Sequence, residues 1–165
     1  MLRRHSITPC LWFAGQAEEA ANYYVSIFPN SKITSTKRYC EVGSEHHRQE
    51  PGSVMFMGFE LDGQPFIAMN GPPIFKFSEA VSFQIACETQ AEVDHFWDML
   101  TAGGDPNAQQ CGWAKDKFGL SWQIVPNLLQ KLLGDPDTKK AERALAAMME
   151  MKKLDMAGLQ KAFDG

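Results

Sequence analysis

The chain has 165 residues, 44% of them hydrophobic and 22% charged. That balance suits one soluble globular domain with a real core. The net charge of -4 at pH 7 gives no electrostatic footprint for nucleic acid or an anionic membrane, and no apolar run reaches the ~18 residues of a membrane span.

The opening, MLRRHSITPC, is basic but lacks the long apolar stretch of a secretory signal, so a cytoplasmic protein is expected. Ile7–Phe13 reads as a short apolar strand. Gln16–Phe28 places Ala17, Ala20, Ala21, Tyr24, Ile27 and Phe28 at helical spacing, and Pro29-Asn30 ends the helix. Ile33–Cys40 alternates and reads as a strand. Glu41–Gly52 is polar and predicts a solvated, mobile loop. Its adjacent His46 and His47 could bind a metal or act in acid–base work, but neighbours in a loop converge poorly on one point. Val54–Leu61 and Pro65–Asn70 read as strands joined by an Asp62-Gly63 hairpin turn. Gly71-Pro72-Pro73 breaks the sheet, and Ile74–Glu79 is a linker.

A second round follows. Val81–Cys87 is an apolar strand. Thr89 and Glu92 form a capping box ahead of a helix that aligns Val93, Phe96, Trp97 and Leu100, with Gly103-Gly104 at its end. Asn107–Ala114 and Leu120–Val125 read as two strands around the turn Asp116-Lys117-Phe118-Gly119. Gly119 can take positive φ there, and Asp116 reads as a turn residue rather than a catalytic acid. In the last strand Ser121, Gln123 and Val125 share one face, and Trp122 and Ile124 the other. A glutamine between apolar neighbours faces either a cavity or backbone and water that satisfy it.

Beyond Pro126 the character changes. Asn127–Leu133 reads as a short helix. Asp135-Pro136 is an N-cap with proline at the first helical position, opening a helix Lys139–Leu154 with Ala141, Ala144, Leu145 and Met148 on one face. Asp155 caps a last helix, Met156–Phe163. The four cysteines, Cys10, Cys40, Cys87 and Cys111, form no CxxC pair. Cys10 and Cys87, in apolar strands, read as small core residues of a protein from a reducing compartment.

The two rounds repeat one order of elements. Leu11–Phe13 followed by Gln16-Ala17-Glu18 parallels Ile85–Cys87 followed by Gln90-Ala91-Glu92. With that repeat in hand, the chain resembles the vicinal oxygen chelate (glyoxalase/bleomycin resistance/dioxygenase) superfamily. It looks most like the PhnB-like branch, often labelled a 3-demethylubiquinone-9 3-methyltransferase domain. The residues that carry the likeness are ITPCLWFAGQAEEAANYYVSIFPNS at Ile7–Ser31, FIAMNGPP at Phe66–Pro73, CGWAKDKFGLSWQIVP at Cys111–Pro126 and AMMEMKKLDMAGLQKAF at Ala147–Phe163.

The resemblance implies an α+β fold of two βαβββ modules forming a curved mixed sheet around a cavity, with C-terminal helices. It puts a glyoxalase-like domain at residues 1–127 (module one about 7–73, module two about 80–126) and a helical extension at 128–165. Such folds commonly form homodimers. Metal-using members hold a divalent ion with His, Gln or Glu side chains, and pattern matching puts those positions at Thr8, Ala68, Ser82 and Gln123. Ala68 has no donor, and two hydroxyls with one amide are weak ligands for a divalent cation. No metal or other cofactor is therefore expected.

Thr8, Trp12, Phe66, Ala68, Asn70, Ser82, Gln84 and Gln123 are the expected cavity residues. Each has an ordinary alternative as a strand residue on a wet face or as core packing. Trp113 and Trp122 are expected to be structural. The function this implies is binding of a small organic molecule. An enzyme of lyase, isomerase or dioxygenase type, or 3-demethylubiquinone-9 3-methylation, is the alternative. No Gly-rich turn follows a strand to hold a methyl-donor nucleotide, and no His is placed beside a Cys for nucleophilic chemistry.

Overall fold

The computed structural model describes residues 7–165; most of the basic opening, Met1–Ser6, lies outside them. The chain divides into two compact units, the first ending at Lys76 and the second beginning at Phe77. No helix among the described residues is long and apolar enough to cross a membrane.

The first unit is one turn of the expected module. β1 (Cys10–Phe13) leads to α1 (Ala17–Ile27), then β2 (Lys32–Arg38), β3 (Val54–Leu61) and β4 (Gln64–Asn70). The sheet order is β1-β4-β3-β2, with β1 parallel to β4 and the other pairs antiparallel. α1 buries Ala17, Ala20, Ala21, Tyr24 and Ile27, the stripe its sequence spacing predicts. Tyr24 stacks on Phe59, and Phe59 stacks on Phe66, at centroid distances of 6.3 and 5.4 Å. The expected loop between β2 and β3 contains one short helix, α2 (Ser44–His47), closed at both ends by the left-handed residues Gly43 and Arg48.

The second unit carries β5 (Ser82–Cys87), α3 (Gln90–Thr101), β6 (Trp113–Lys115) and β7 (Ser121–Pro126). Its sheet has three strands, ordered β5-β7-β6. The second module therefore lacks one strand of the βαβββ pattern. Only residues 102–112 separate α3 from β6, and part of that span is a 3-10 turn, Pro106–Ala108, rather than the expected strand from Asn107. Gly104 lies so close to β6 that a Cβ there would sit 2.1 Å from the Lys115 carbonyl oxygen. α3 begins with the predicted capping box, Thr89 with Glu92, and turns Val93, Phe96, Trp97 and Leu100 inward.

Three helices complete this unit: α4 (Asn127–Leu133), α5 (Thr138–Met149) and α6 (Met156–Asp164). α5 is capped by Asp137, whose carboxylate accepts from the Lys139 and Lys140 amides, so the cap lies two residues after the expected one at Asp135. It also stops at Met149 instead of running to Leu154. The carbonyls that follow are used elsewhere: Met151 and Lys152 accept from the Cys111 and Gly112 amides, each at 2.8 Å. Leu145, expected on the buried face, is exposed, while Ala144 is fully buried. Asp155 caps α6 as predicted. Leu129, Leu132, Ala144, Leu154, Leu159 and Phe163 form the core of this extension.

Candidate functional site

Each sheet has one face covered by its helix and one face that the helix leaves free. In-register neighbours on adjacent strands point to the same side, so the pairings assign every residue to a face. In the first unit Leu11 pairs with Ala68 and Phe13 with Asn70, on the α1 side. Trp12 pairs with Met69 and Cys10 with Ile67, on the other side.

This register divides the expected site residues of the first unit. Phe66, Ala68 and Asn70 do not share a face with Trp12: they are buried on the α1 side. Asn70 uses its amide structurally, accepting from the Ala17 amide at 3.0 Å and donating to the Val54 carbonyl at 2.9 Å. Trp12 stays on the helix-free face. Its ring fills the space above Gly71, where a Cβ would lie 2.0 Å from it. Its Nε1 donates to the Pro72 carbonyl at 3.0 Å, and its ring meets Phe75 edge-on at 5.2 Å. Cys10 is exposed on the same face rather than buried as expected, because Leu11 and Phe13 take the core side. Thr8 precedes β1 and is exposed.

The second unit brings its expected residues together. Ser82 pairs with Ser121 and Gln84 with Gln123, and on the far side of β7 Trp113 pairs with Gln123 and Lys115 with Ser121. The helix-free face thus carries two rows of three, Ser82–Ser121–Lys115 and Gln84–Gln123–Trp113. Gln123 Nε2 donates to Ser82 Oγ at 2.8 Å, which fixes the amide and turns its carbonyl oxygen away from that bond. Ser121 is 2% exposed, and its hydroxyl has no hydrogen-bond partner. The Lys115 ammonium pairs with the Glu79 carboxylate, which this bond holds below the usual carboxylate range.

Trp113, Lys115 and Ser121 were not among the expected site residues. Trp122 is structural as expected: its Nε1 donates to Asp116 Oδ2 at 2.8 Å, inside the sheet–helix core. Trp113 lies on the free face, half-buried beside Gln123. The signal was present in the hairpin, since a turn at Asp116–Gly119 sets Trp113 opposite Gln123. Asp116 is a turn residue, its Oδ1 accepting from the Phe118 and Leu120 amides at 2.9 and 3.0 Å.

The donors at the four matched metal positions do not fit a divalent cation. Ala68 offers none and faces α1, and the Ser82 hydroxyl and Gln123 amide already bond each other. Among the described residues no three His, Cys, Asp or Glu side chains gather where they could hold a metal ion. His46 is exposed beside Glu45. His47 is less solvated than the sequence suggests: its ring packs at a tilt against Tyr39, centroids 4.6 Å apart, and Nδ1 accepts from the Gln49 amide at 3.0 Å.

Solved structures share this fold. The PhnB protein from Bacillus cereus is 36% identical, matching 74% of this chain and 99% of its own, with a TM-score of 0.64. At fold level only, protein PA1353 from Pseudomonas aeruginosa matches with 16% identity over 74% of this chain and 97% of its own, TM-score 0.54. The fosfomycin resistance protein FosX from Mesorhizobium loti matches with 12% identity over 81% of this chain and all (100%) of its own, also with a TM-score of 0.54. No functionally curated protein matches the chain. The fold and its neighbours define a protein of the vicinal oxygen chelate superfamily, the glyoxalase-type class. Within it, residues 5–125 match the model of the 3-demethylubiquinone-9 3-methyltransferase family, and the chain belongs to that family, in its PhnB-like branch.

Proposed function

We propose that the protein binds a small organic molecule on the helix-free face of its second sheet, without a metal. The observation that carries this reading is the row Gln84–Gln123–Trp113. Gln123 offers a carbonyl oxygen whose direction is fixed by the bond to Ser82, and Trp113 offers a ring beside it. An oriented amide next to an aromatic surface suits a planar ligand with a hydrogen-bond donor.

The test is a screen of small planar amides and carboxylic acids, following the side-chain amide signals of Gln84 and Gln123 and the Trp113 indole by NMR. Ligands should shift those signals together. Gln123→Ala should weaken binding about tenfold, on the order of one hydrogen bond, with little change in thermal stability. Dialysis against EDTA should leave affinity unchanged. Binding that is insensitive to Gln123→Ala, or lost with EDTA, would overturn the reading. Time-dependent product formation that requires Gln123 would make the site catalytic.

Family membership favours a second reading, methyl transfer to a demethylubiquinone. It requires saturable binding of a methyl-donor nucleotide, measurable by calorimetry. A homodimer, supported by resemblance to a fold that commonly dimerises, is checked by light scattering.

A further inference from the structure

Of the second row on the same face, Ser82–Ser121–Lys115, only Ser82 enters the reading above. Its chemistry is distinct. Ser121 belongs to the central strand and is 2% exposed. Its hydroxyl has no hydrogen-bond partner, and a buried hydroxyl left so is unfavourable unless something else compensates. The register directs it to the free face, between the Ser82 hydroxyl and the Lys115 stem.

Lys115 is the cation of this row. Its side chain is 22% exposed, and its ammonium is met by the carboxylate of Glu79, which is 62% exposed. Glu79 belongs to no strand or helix; it stands in the segment before β5. Such a partner is held by one charged contact from a side chain that is itself mostly in solvent, so it is weakly anchored. A carboxylate therefore already sits at the ammonium, and it is one that can be exchanged.

We propose that Lys115, with the hydroxyl of Ser121 beneath it, is an anion subsite for the carboxylate of a ligand, which Glu79 occupies in the free protein and vacates on binding. This rests on the ligand-binding reading of the neighbouring row. Glu79 acts as an intramolecular stand-in: a ligand carboxylate replaces it on Lys115 and gains the Ser121 hydroxyl as a donor. The exchange leaves the charge at Lys115 unchanged, so no buried cation is left unpaired at any stage. The ligand class is then a planar molecule bearing a carboxylate, lying across both rows.

Benzoate and its neutral counterpart benzamide separate the two ideas. Both are titrated into the full chain while the Trp113 indole and Gln123 amide signals are followed. Benzoate should bind wild type, bind Glu79→Gln roughly tenfold more tightly, and bind Lys115→Met at least tenfold more weakly. Benzamide should bind all three alike. Benzamide binding with benzoate indifferent to both substitutions would overturn the subsite and leave the ligand face standing. Failure of both molecules to move Gln123 and Trp113 would overturn both. A second measurement follows Lys115 itself by acetylation and peptide mass spectrometry. The Glu79→Gln protein should label several-fold faster than wild type, with benzoate restoring protection; equal rates with and without benzoate would also overturn the subsite.

Discussion

Asn70 lies next to a cluster of apolar strand residues, yet it is buried because both ends of its amide are used inside the first unit. It ties the start of α1 to β3 through Ala17 and Val54. Asn70→Ala removes two buried hydrogen bonds and strands an amide and a carbonyl. It should destabilise the chain by about 2–3 kcal/mol, read as a lower urea midpoint, while ligand shifts at Gln123 persist. Cys87 gives a second test. Its thiol is fully buried and is pushed up to about 11 from an ordinary value of 9.0, by burial first and then by the Glu92 carboxylate. The unfolded thiol ionises first as pH rises. The stability that Cys87 contributes is therefore complete below about pH 9 and is lost as pH climbs through 11. Cys87→Ala should flatten that part of the stability profile, measured by urea unfolding between pH 8 and 11. The same residues mark the limit of sequence reading. Phe66, Ile67, Ala68 and Met69 are all apolar, so no polarity marks which are inside, and a one-residue phase error moves each to the opposite face. In Ser121–Val125, serine and glutamine alternate with Trp122 and Ile124, and the face of Gln123 was legible.

Among the elements, the helices were the most legible because their ends carry chemical markers. Thr89 accepts from the Glu92 amide at 3.2 Å, and the Glu92 carboxylate accepts from the Thr89 amide at 3.0 Å, the reciprocal pair its spacing predicts. Thr89→Ala should cost about 1 kcal/mol, seen as a drop of a few degrees in Tm. Thr89→Ser should restore most of it, since the hydroxyl is what caps. Strands were less legible where their existence depends on space rather than pattern. Residues 107–112 alternate well enough to read as a strand, but Gly104 presses the preceding loop against β6, and Cys111 and Gly112 adopt positive φ of 53° and 84°. Positive φ at consecutive residues ends an extended ladder. The end of α5 was hidden for the same reason: nothing local stops the helix at Met149. Its following residues leave the helix because the Met151 and Lys152 carbonyls turn to accept from the Cys111 and Gly112 amides instead.

For the whole molecule, the decisive fact is where likeness to relatives ends. The family match covers residues 5–125, and the PhnB protein from Bacillus cereus aligns over 99% of its own length but 74% of this chain. Yet the residues after 125 are built into the second unit. Gln90 on α3 binds both sides of the tail, donating to the Leu154 carbonyl at 3.1 Å and accepting from the Met156 amide at 2.8 Å. Lys153 pairs with Asp94 at 2.9 Å. Leu154 is fully buried against Gly112, where an added Cβ would lie 2.9 Å from Leu154 Cδ1 and 2.8 Å from the Ile124 carbonyl oxygen. Gly112 in turn accepts the Ile124 amide at 2.8 Å. A continuous chain of contacts therefore runs from the tail to the residue beside Gln123. The tail supports the segment that delivers Trp113 to the free face, in a module that is one strand short. Leu154→Ala should destabilise by about 2–5 kcal/mol, the range for a buried leucine truncated in a rigid site. Its specific signature is amide exchange. Protection at Gly112 and Ile124 should fall while protection at Ile67 and Met69, in the first unit, is unchanged. Equal loss in both units would mean that Leu154 contributes only general stability, and unchanged protection at Ile124 would remove the tail from any role in holding the ligand face.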